Sequence, residues 1–336
     1  MNYLNLNEIT TLHMEHTSKC NLLCPQCARV DEGKLNPKLP LEELTLDDYK
    51  RILTPEFAKQ IKRIFWCGNY GDSIASNTFL ECLEFIRHSG VDGLTIVTNG
   101  SARNPEWWTK VAHILDRETD RVDFSVDGLE DTNHIYRVNV DWNKLERNFM
   151  AFIEEGGTAT WKWLIFEHNK HQTKEASQVA KFYGFSRFDA RMSMRDPPDL
   201  YQTYIKQSGD KETDFTIQEA QDLRAKEIDT VANTEDINCK SLAHNRIYLN
   251  GEGRIWPCCY TSQHYCKSHA GYPEAFEKSN PYLFNHYNKG FNLADKHSLQ
   301  FILQHAVWDD VKEEWGNKNN CEYKVCWKRN QRYIAS

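Results

Sequence analysis

The sequence predicts an α/β fold. An incomplete parallel barrel of six strand–helix units spans residues 1–192, a bridging segment spans 193–236, and a small α+β domain spans 237–336. Three observations predict this. Strand-like and helix-like runs alternate over residues 10–190, which implies βα units and a parallel sheet two units short of an eightfold barrel. Within that region Val122, Phe124 and Val126 alternate with Asp123, Ser125 and Asp127. A fully buried parallel strand would be apolar throughout, so a polar inner face implies a partly open barrel whose interior holds a polar ligand. After Met192 the alternation stops, and the residues beyond 236 are rich in Cys, aromatics and His.

The strands are expected at Thr11–Thr17, Arg63–Cys67, Leu94–Thr98, Arg121–Val126, Thr160–Glu167 and Arg187–Arg191. Between them, helices are expected at Leu46–Leu53, Thr78–His88, Pro105–Asp116, Trp142–Glu155 and Lys174–Tyr183. Thr45 with Asp48 approximates a capping box, and Pro105 after Asn104 suits a first helical position. Arg195-Asp196-Pro197-Pro198-Asp199 is a turn, followed by a polar stretch with one helix at Thr216–Lys226. Further on, Arg246–Leu249 and Arg254–Trp256 read as short strands around the turn Asn250-Gly251-Glu252-Gly253, and Ser298–Val307 reads as a helix.

A hydrophobic content of 40% and a charged content of 26% describe a soluble globular protein of roughly two domains. No apolar run approaches the roughly eighteen residues of a membrane span, and the N-terminus shows no secretory signal, so a cytoplasmic location without a membrane partner is expected. The net charge of −7, from 41 Lys+Arg against 48 Asp+Glu, argues against nucleic acid as a partner. Without an export signal, the eleven cysteines favour metal or redox chemistry over a disulfide framework. They form an N-terminal trio, a pair at Cys67 and Cys82, and a C-terminal set of six, which suggests two separate metal sites.

The trio is Cys20, Cys24 and Cys27, spaced C-x3-C-x2-C directly after the first strand. A loop at that end of a strand lies on the active face of a (βα) barrel. Zinc usually takes four ligands in C-x2-C pairs, and no fourth Cys or His lies close behind Cys27; a zinc site and unrelated free thiols are the alternatives. Three such thiolates can wrap one corner of a [4Fe–4S] cluster and leave its fourth iron without a protein ligand. The run resembles the signature of the radical S-adenosylmethionine (SAM) enzymes.

Other segments resemble that family at the expected intervals. Gly68-Asn69-Tyr70-Gly71-Asp72 looks like a variant of its glycine-rich G-x-G-E-P turn, with Asp72 in place of Glu and Ser73 in place of Pro. The resemblance implies that this turn holds the methionyl ammonium of SAM. It also implies that Asn99, Ser125 and Asp127 reach the ribose and carboxylate, and that Arg137 pairs with the carboxylate. Taken alone, Asn99 reads equally as a turn residue and Arg137 as a solvated helix charge. Glu167-His168-Asn169 is a further candidate for contact with ligand or substrate. Gln26 departs from the family, which often has an aromatic there beside the adenine.

Cys239, thirteen intervening residues and Gly253-Arg254-Ile255-Trp256-Pro257-Cys258 resemble the opening of the auxiliary-cluster domain called SPASM, or its shorter form, twitch. This implies one auxiliary [4Fe–4S] cluster on Cys239, Cys258, Cys321 and Cys326. Cys259 or Cys266 could replace either of the last two, and a structural zinc on the same thiols is the alternative. Four thiolate ligands leave no open iron, so electron transfer and fold stabilisation are its expected jobs.

The resemblance implies reductive cleavage of SAM to a 5′-deoxyadenosyl radical and hydrogen abstraction from a small polar molecule or a peptide residue. The electron would come from a donor such as a flavodoxin or ferredoxin. The auxiliary cluster favours oxidation of the substrate radical, as in a dehydrogenase or peptide-modifying enzyme. Quenching by a thiol would instead give an epimerase, with Cys67, Cys259 and Cys266 as candidate hydrogen donors; a buried core position is the plainer reading of Cys67. Trp256, Tyr260, Tyr265, Tyr282, Phe284 and Tyr287 either line a substrate cavity or pack a core. An iron–sulfur electron carrier and a zinc-stabilised interaction protein are the non-enzymatic alternatives.

Overall fold

The structure, a computed structural model, describes residues 4–192, 239–265 and 281–308. The bridging segment with its expected helix, and Cys266, Cys321 and Cys326, lie outside the described residues. The strands are β1 (Thr11–Met14), β2 (Val30–Asp31), β3 (Lys34–Leu35), β4 (Arg63–Trp66), β5 (Gly93–Thr98), β6 (Arg121–Ser125), β7 (Ala159–Ile165), β8 (Arg187–Met192), β9 (Arg246–Leu249) and β10 (Ile255–Trp256). β1, β4, β5, β6, β7 and β8 lie side by side in that order, each parallel to the next. When every crossover returns to the adjacent strand in the same sense, the helices gather on one face and the sheet curls around the other, as in a barrel.

The helices are α1 (Leu46–Ile52), α2 (Pro55–Gln60), α3 (Phe79–His88), α4 (Pro105–Ile114), α5 (Asn133–Tyr136), α6 (Trp142–Glu154) and α7 (Thr173–Phe182). The expected caps form: the Asp48 amide donates to Thr45 Oγ1 at 3.3 Å, and the Thr45 amide donates to Asp48 Oδ2 at 2.8 Å. Asn104 caps α4 through the Trp107 amide at 3.1 Å. Thr54 and Pro55 start α2 by the same local chemistry, a helix not expected from the sequence.

The two faces of the sheet differ in kind. Toward the helices, Ile64, Trp66, Ile96, Val122, Phe124, Trp161 and Trp163 are buried, with Trp161 packed against Phe149 of α6 and Phe185. The opposite face is polar, as the alternation at β6 predicts. There Lys162 bridges Asp123 at 3.6 Å and Asp189 at 2.5 Å, Arg121 pairs with Asp123 at 3.1 Å, and Arg191 pairs with Asp189 at 2.8 Å. Part of the polar interior thus satisfies itself across three strands.

β1 ends at Met14 rather than Thr17, because the chain beyond it leaves the sheet. The Ser18 amide donates to Glu42 O at 3.0 Å, and Thr17 bridges to Glu43. The β9–β10 hairpin forms as expected, with Ile255 opposite Leu249 and Trp256 opposite Tyr248. β9 also pairs in parallel with β1, so the hairpin extends the barrel sheet at its β1 edge. Trp256, Phe284 and Tyr287 are buried, and the first and last of these rings lie 4.5 Å apart, so these three aromatics pack a core rather than line a cavity. Among the described residues, no helix is long and apolar enough to cross a membrane.

Candidate active site

The loop after β1 brings the three N-terminal cysteines together. The Cys27 amide donates to Cys24 O at 2.9 Å. The buried Arg29 gathers the loop from behind, its Nη1 donating to Cys20 O at 2.7 Å and to Leu22 O at 3.1 Å. All three thiols lie in one apolar cluster with Leu22, Tyr136 and Phe166, the two rings 4.3 Å apart. Burial pushes the Cys20 thiol up to about 12, with the Asp72 charge adding to it, and burial raises Cys24 as well. Thiols so placed ionise only when a metal or cation holds their charge.

Three thiols on one loop are the donor set that a [4Fe–4S] cluster takes, one iron to each thiolate, and Cys20, Cys24 and Cys27 would hold such a group here.

Two buried aspartates approach the trio, each through another side chain. Asp72 Oδ2 accepts from Thr98 Oγ1 at 3.0 Å, from the Asn99 amide at 2.7 Å and from Asn99 Nδ2 at 2.7 Å. Asn99 Nδ2 stands 3.6 Å from Cys20 Sγ. Burial raises the Asp72 carboxyl, against the pull of those donors. Asp127 Oδ2 instead takes a fork from Arg137, Nε at 2.7 Å and Nη2 at 2.5 Å, while Oδ1 accepts from the Leu164 amide at 2.5 Å. Arg137 Nη1 lies 3.8 Å from Cys24 Sγ. Burial pushes Asp127 up and is the largest influence against the charge of Arg137, but Asp127, Cys24 and Tyr136 together outweigh it and hold the guanidinium cationic.

The turn at residues 68–72 is tight for reasons internal to the protein. Glu15 Oε1 accepts from the Tyr70 amide at 2.6 Å and the Gly71 amide at 2.9 Å. A Cβ on Gly68 would stand 2.6 Å from that oxygen, and one on Gly71 would run into the Thr17 carbonyl. Asn69 and Tyr70 turn their side chains to the helix Cys259–Tyr265: Asn69 Nδ2 donates to Cys259 O at 2.7 Å and the Tyr70 hydroxyl to Gln263 O at 3.3 Å.

The remaining candidates fall out as follows. Ser125 is half-buried on the inner face of β6. Asn169 is buried and donates to Asp127 O at 2.9 Å and Leu164 O at 2.8 Å, and Glu167 pairs with Lys170, so that segment braces the site from within. Cys67 is exposed at the end of β4, not buried in the core; Cys82 in α3 is the buried one. Cys239 precedes the helix leading into β9, and Cys258 follows β10 with its thiol 3.4 Å from Thr261 Oγ1. Sequence reasoning missed Glu15 and Arg29. The signal for Glu15 was a lone carboxylate on the same face as His13, beside a run of apolar positions in β1.

No sequence family and no curated protein matches this chain. Its backbone is similar to SuiB of Streptococcus suis, with a TM-score of 0.52, 14% identity, 76% of this chain covered and 61% of SuiB. It is also similar to anSMEcpe with bound AdoMet (S-adenosylmethionine), with a TM-score of 0.52, 12% identity and coverage of 94% and 84%. The chain has the fold of the radical SAM enzymes. It spans about three-fifths of the length of SuiB.

Proposed function

We propose that this chain is a radical SAM enzyme acting on a peptide residue, with a twitch-like auxiliary cluster in its C-terminal part. The observation that carries the reading is the convergence of two buried acid networks on two thiols of the C-x3-C-x2-C trio. Cys20, Cys24 and Cys27 would hold a [4Fe–4S] cluster, which would supply the electron for reductive cleavage of SAM.

The protein's own residues bind and orient. Asp72, met only by neutral donors, gives the site an anionic end near Cys20 that suits the amine of SAM. Arg137 gives it a cationic edge near Cys24 that suits the carboxylate, and Asp127 fixes that edge. Leu22, Tyr136 and Phe166 shield the buried Cys24 from water. A peptide substrate is supported by two neighbours of this fold, SuiB bound to precursor peptide SuiA and anSMEcpe bound to Cp18Cys peptide, at 15% and 12% identity. Cys239 and Cys258, with Cys321 and Cys326, would hold the auxiliary cluster and favour oxidation as the outcome; a flavodoxin or ferredoxin would supply electrons. A second reading, epimerisation with Cys67 as hydrogen donor, is favoured only by the exposure of that thiol beside the SAM turn.

Single-turnover incubation tests the proposal. The reduced, iron-reconstituted chain is expected to convert SAM to methionine and 5′-deoxyadenosine, and C24A to abolish it. Unchanged SAM after reduction would overturn the reading.

A further inference from the structure

Glu15 is 2% exposed and its hydrogen bonds join three distant parts of the described chain. Its Oε1 holds the amides of Tyr70 and Gly71, and its Oε2 accepts from the Tyr248 hydroxyl of β9 at 2.8 Å. A trans peptide unit points its carbonyl opposite to its N–H. With those two amides turned to Glu15, the carbonyls of Asn69 and Tyr70 face away from it. The turn's next amide, Asp72, donates to Lys19 O at 2.8 Å, one residue before Cys20. The same turn is tied to the helix Cys259–Tyr265 through Asn69 and Tyr70. The side-chain links of this clamp, through Asn69, Tyr70 and Tyr248, lead to the C-terminal segments on either side of Cys258, and its Asp72 amide leads to the residue before Cys20.

We propose that Glu15 is a positioning residue for the SAM amino group, and that Tyr248 makes its action depend on the C-terminal hairpin. Glu15 sets the direction of the Asn69 and Tyr70 carbonyls that receive the amine. This rests on the reading of the site given above.

The test uses the full chain, wild type, E15Q and Y248F. In the metal-free chain, hydrogen exchange of the Tyr70 and Gly71 amides is expected to quicken about tenfold in E15Q and less in Y248F. In the reconstituted chain, E15Q is expected to weaken SAM binding about tenfold and alter the hyperfine coupling of amino-15N-labelled SAM, at unchanged iron content. Y248F is expected to shift both in the same direction, and it keeps the test standing should E15Q fail to fold. Wild-type coupling with both variants unchanged overturns the positioning role alone. A wild-type chain with no coupling to labelled SAM overturns the proposal together with the reading beneath it.

Discussion

Asp72 and Asp127 are both buried, both follow a strand of the same sheet, and both reach a cysteine of the trio through a neighbour. Their charges are met differently. Every donor to Asp72 is neutral, so nothing bonded to it cancels its negative charge beside Cys20. Asp127 is forked by Arg137, whose remaining Nη1 faces Cys24. The pair teaches that buried acids beside the trio are met in two ways, by neutral donors alone at Asp72 and by a paired guanidinium at Asp127.

The sharpest way to break this comparison is to remove the cation. R137M would leave Asp127 buried and unpaired, and is expected to destabilise the metal-free chain by about 3–5 kcal/mol in denaturant unfolding. A shift below about 1 kcal/mol would mean that the fork is incidental. D72N is expected to cost less stability, about 1 kcal/mol, because an amide oxygen can still accept from Thr98 and Asn99. Its effect on SAM should be the larger one, at least about tenfold weaker binding by equilibrium dialysis. Equal binding by D72N and wild type would show that the charge of Asp72 is not used.

Stability against pH separates these acids from the buried imidazoles. Burial lowers His13 to about 3 and His16 to about 4, while an unfolded histidine titrates near its ordinary value of 6.5. Between those values the unfolded chain binds more protons than the folded one, so stability falls as pH drops from 6.5 toward 4. NMR titration is expected to find the rings of His13 and His16 neutral at pH 5, and a protonated ring at that pH would contradict neutral burial. The smallest effect is expected at Cys67. C67A should move stability by under about 0.5 kcal/mol, and an alkylating agent should label Cys67 while sparing Cys82.

What the sequence made legible was local. The caps at Thr45 and Asn104 and the alternation of strand and helix depend on residues within a few positions of one another, and they stand where expected. The role of Glu15 was not legible, because its partners Tyr70 and Tyr248 lie 55 and 233 residues away. The place of β9 beside β1 was hidden for the same reason: a hairpin's turn encodes its own pairing but not the strand its outer edge will meet. The alternation in β6 announced a polar interior, but its partners Lys162 and Asp189 come from separate strands. The glycines at 68 and 71 make room for Glu15 and Thr17, partners that the sequence of the turn alone does not name.

The most direct test of the central claim is electron paramagnetic resonance of the anaerobically reconstituted, reduced chain, with and without SAM. A [4Fe–4S] spectrum that changes on adding SAM is the expected result, since one iron would lack a protein ligand. A cluster spectrum indifferent to SAM, or zinc bound in place of iron, would contradict it.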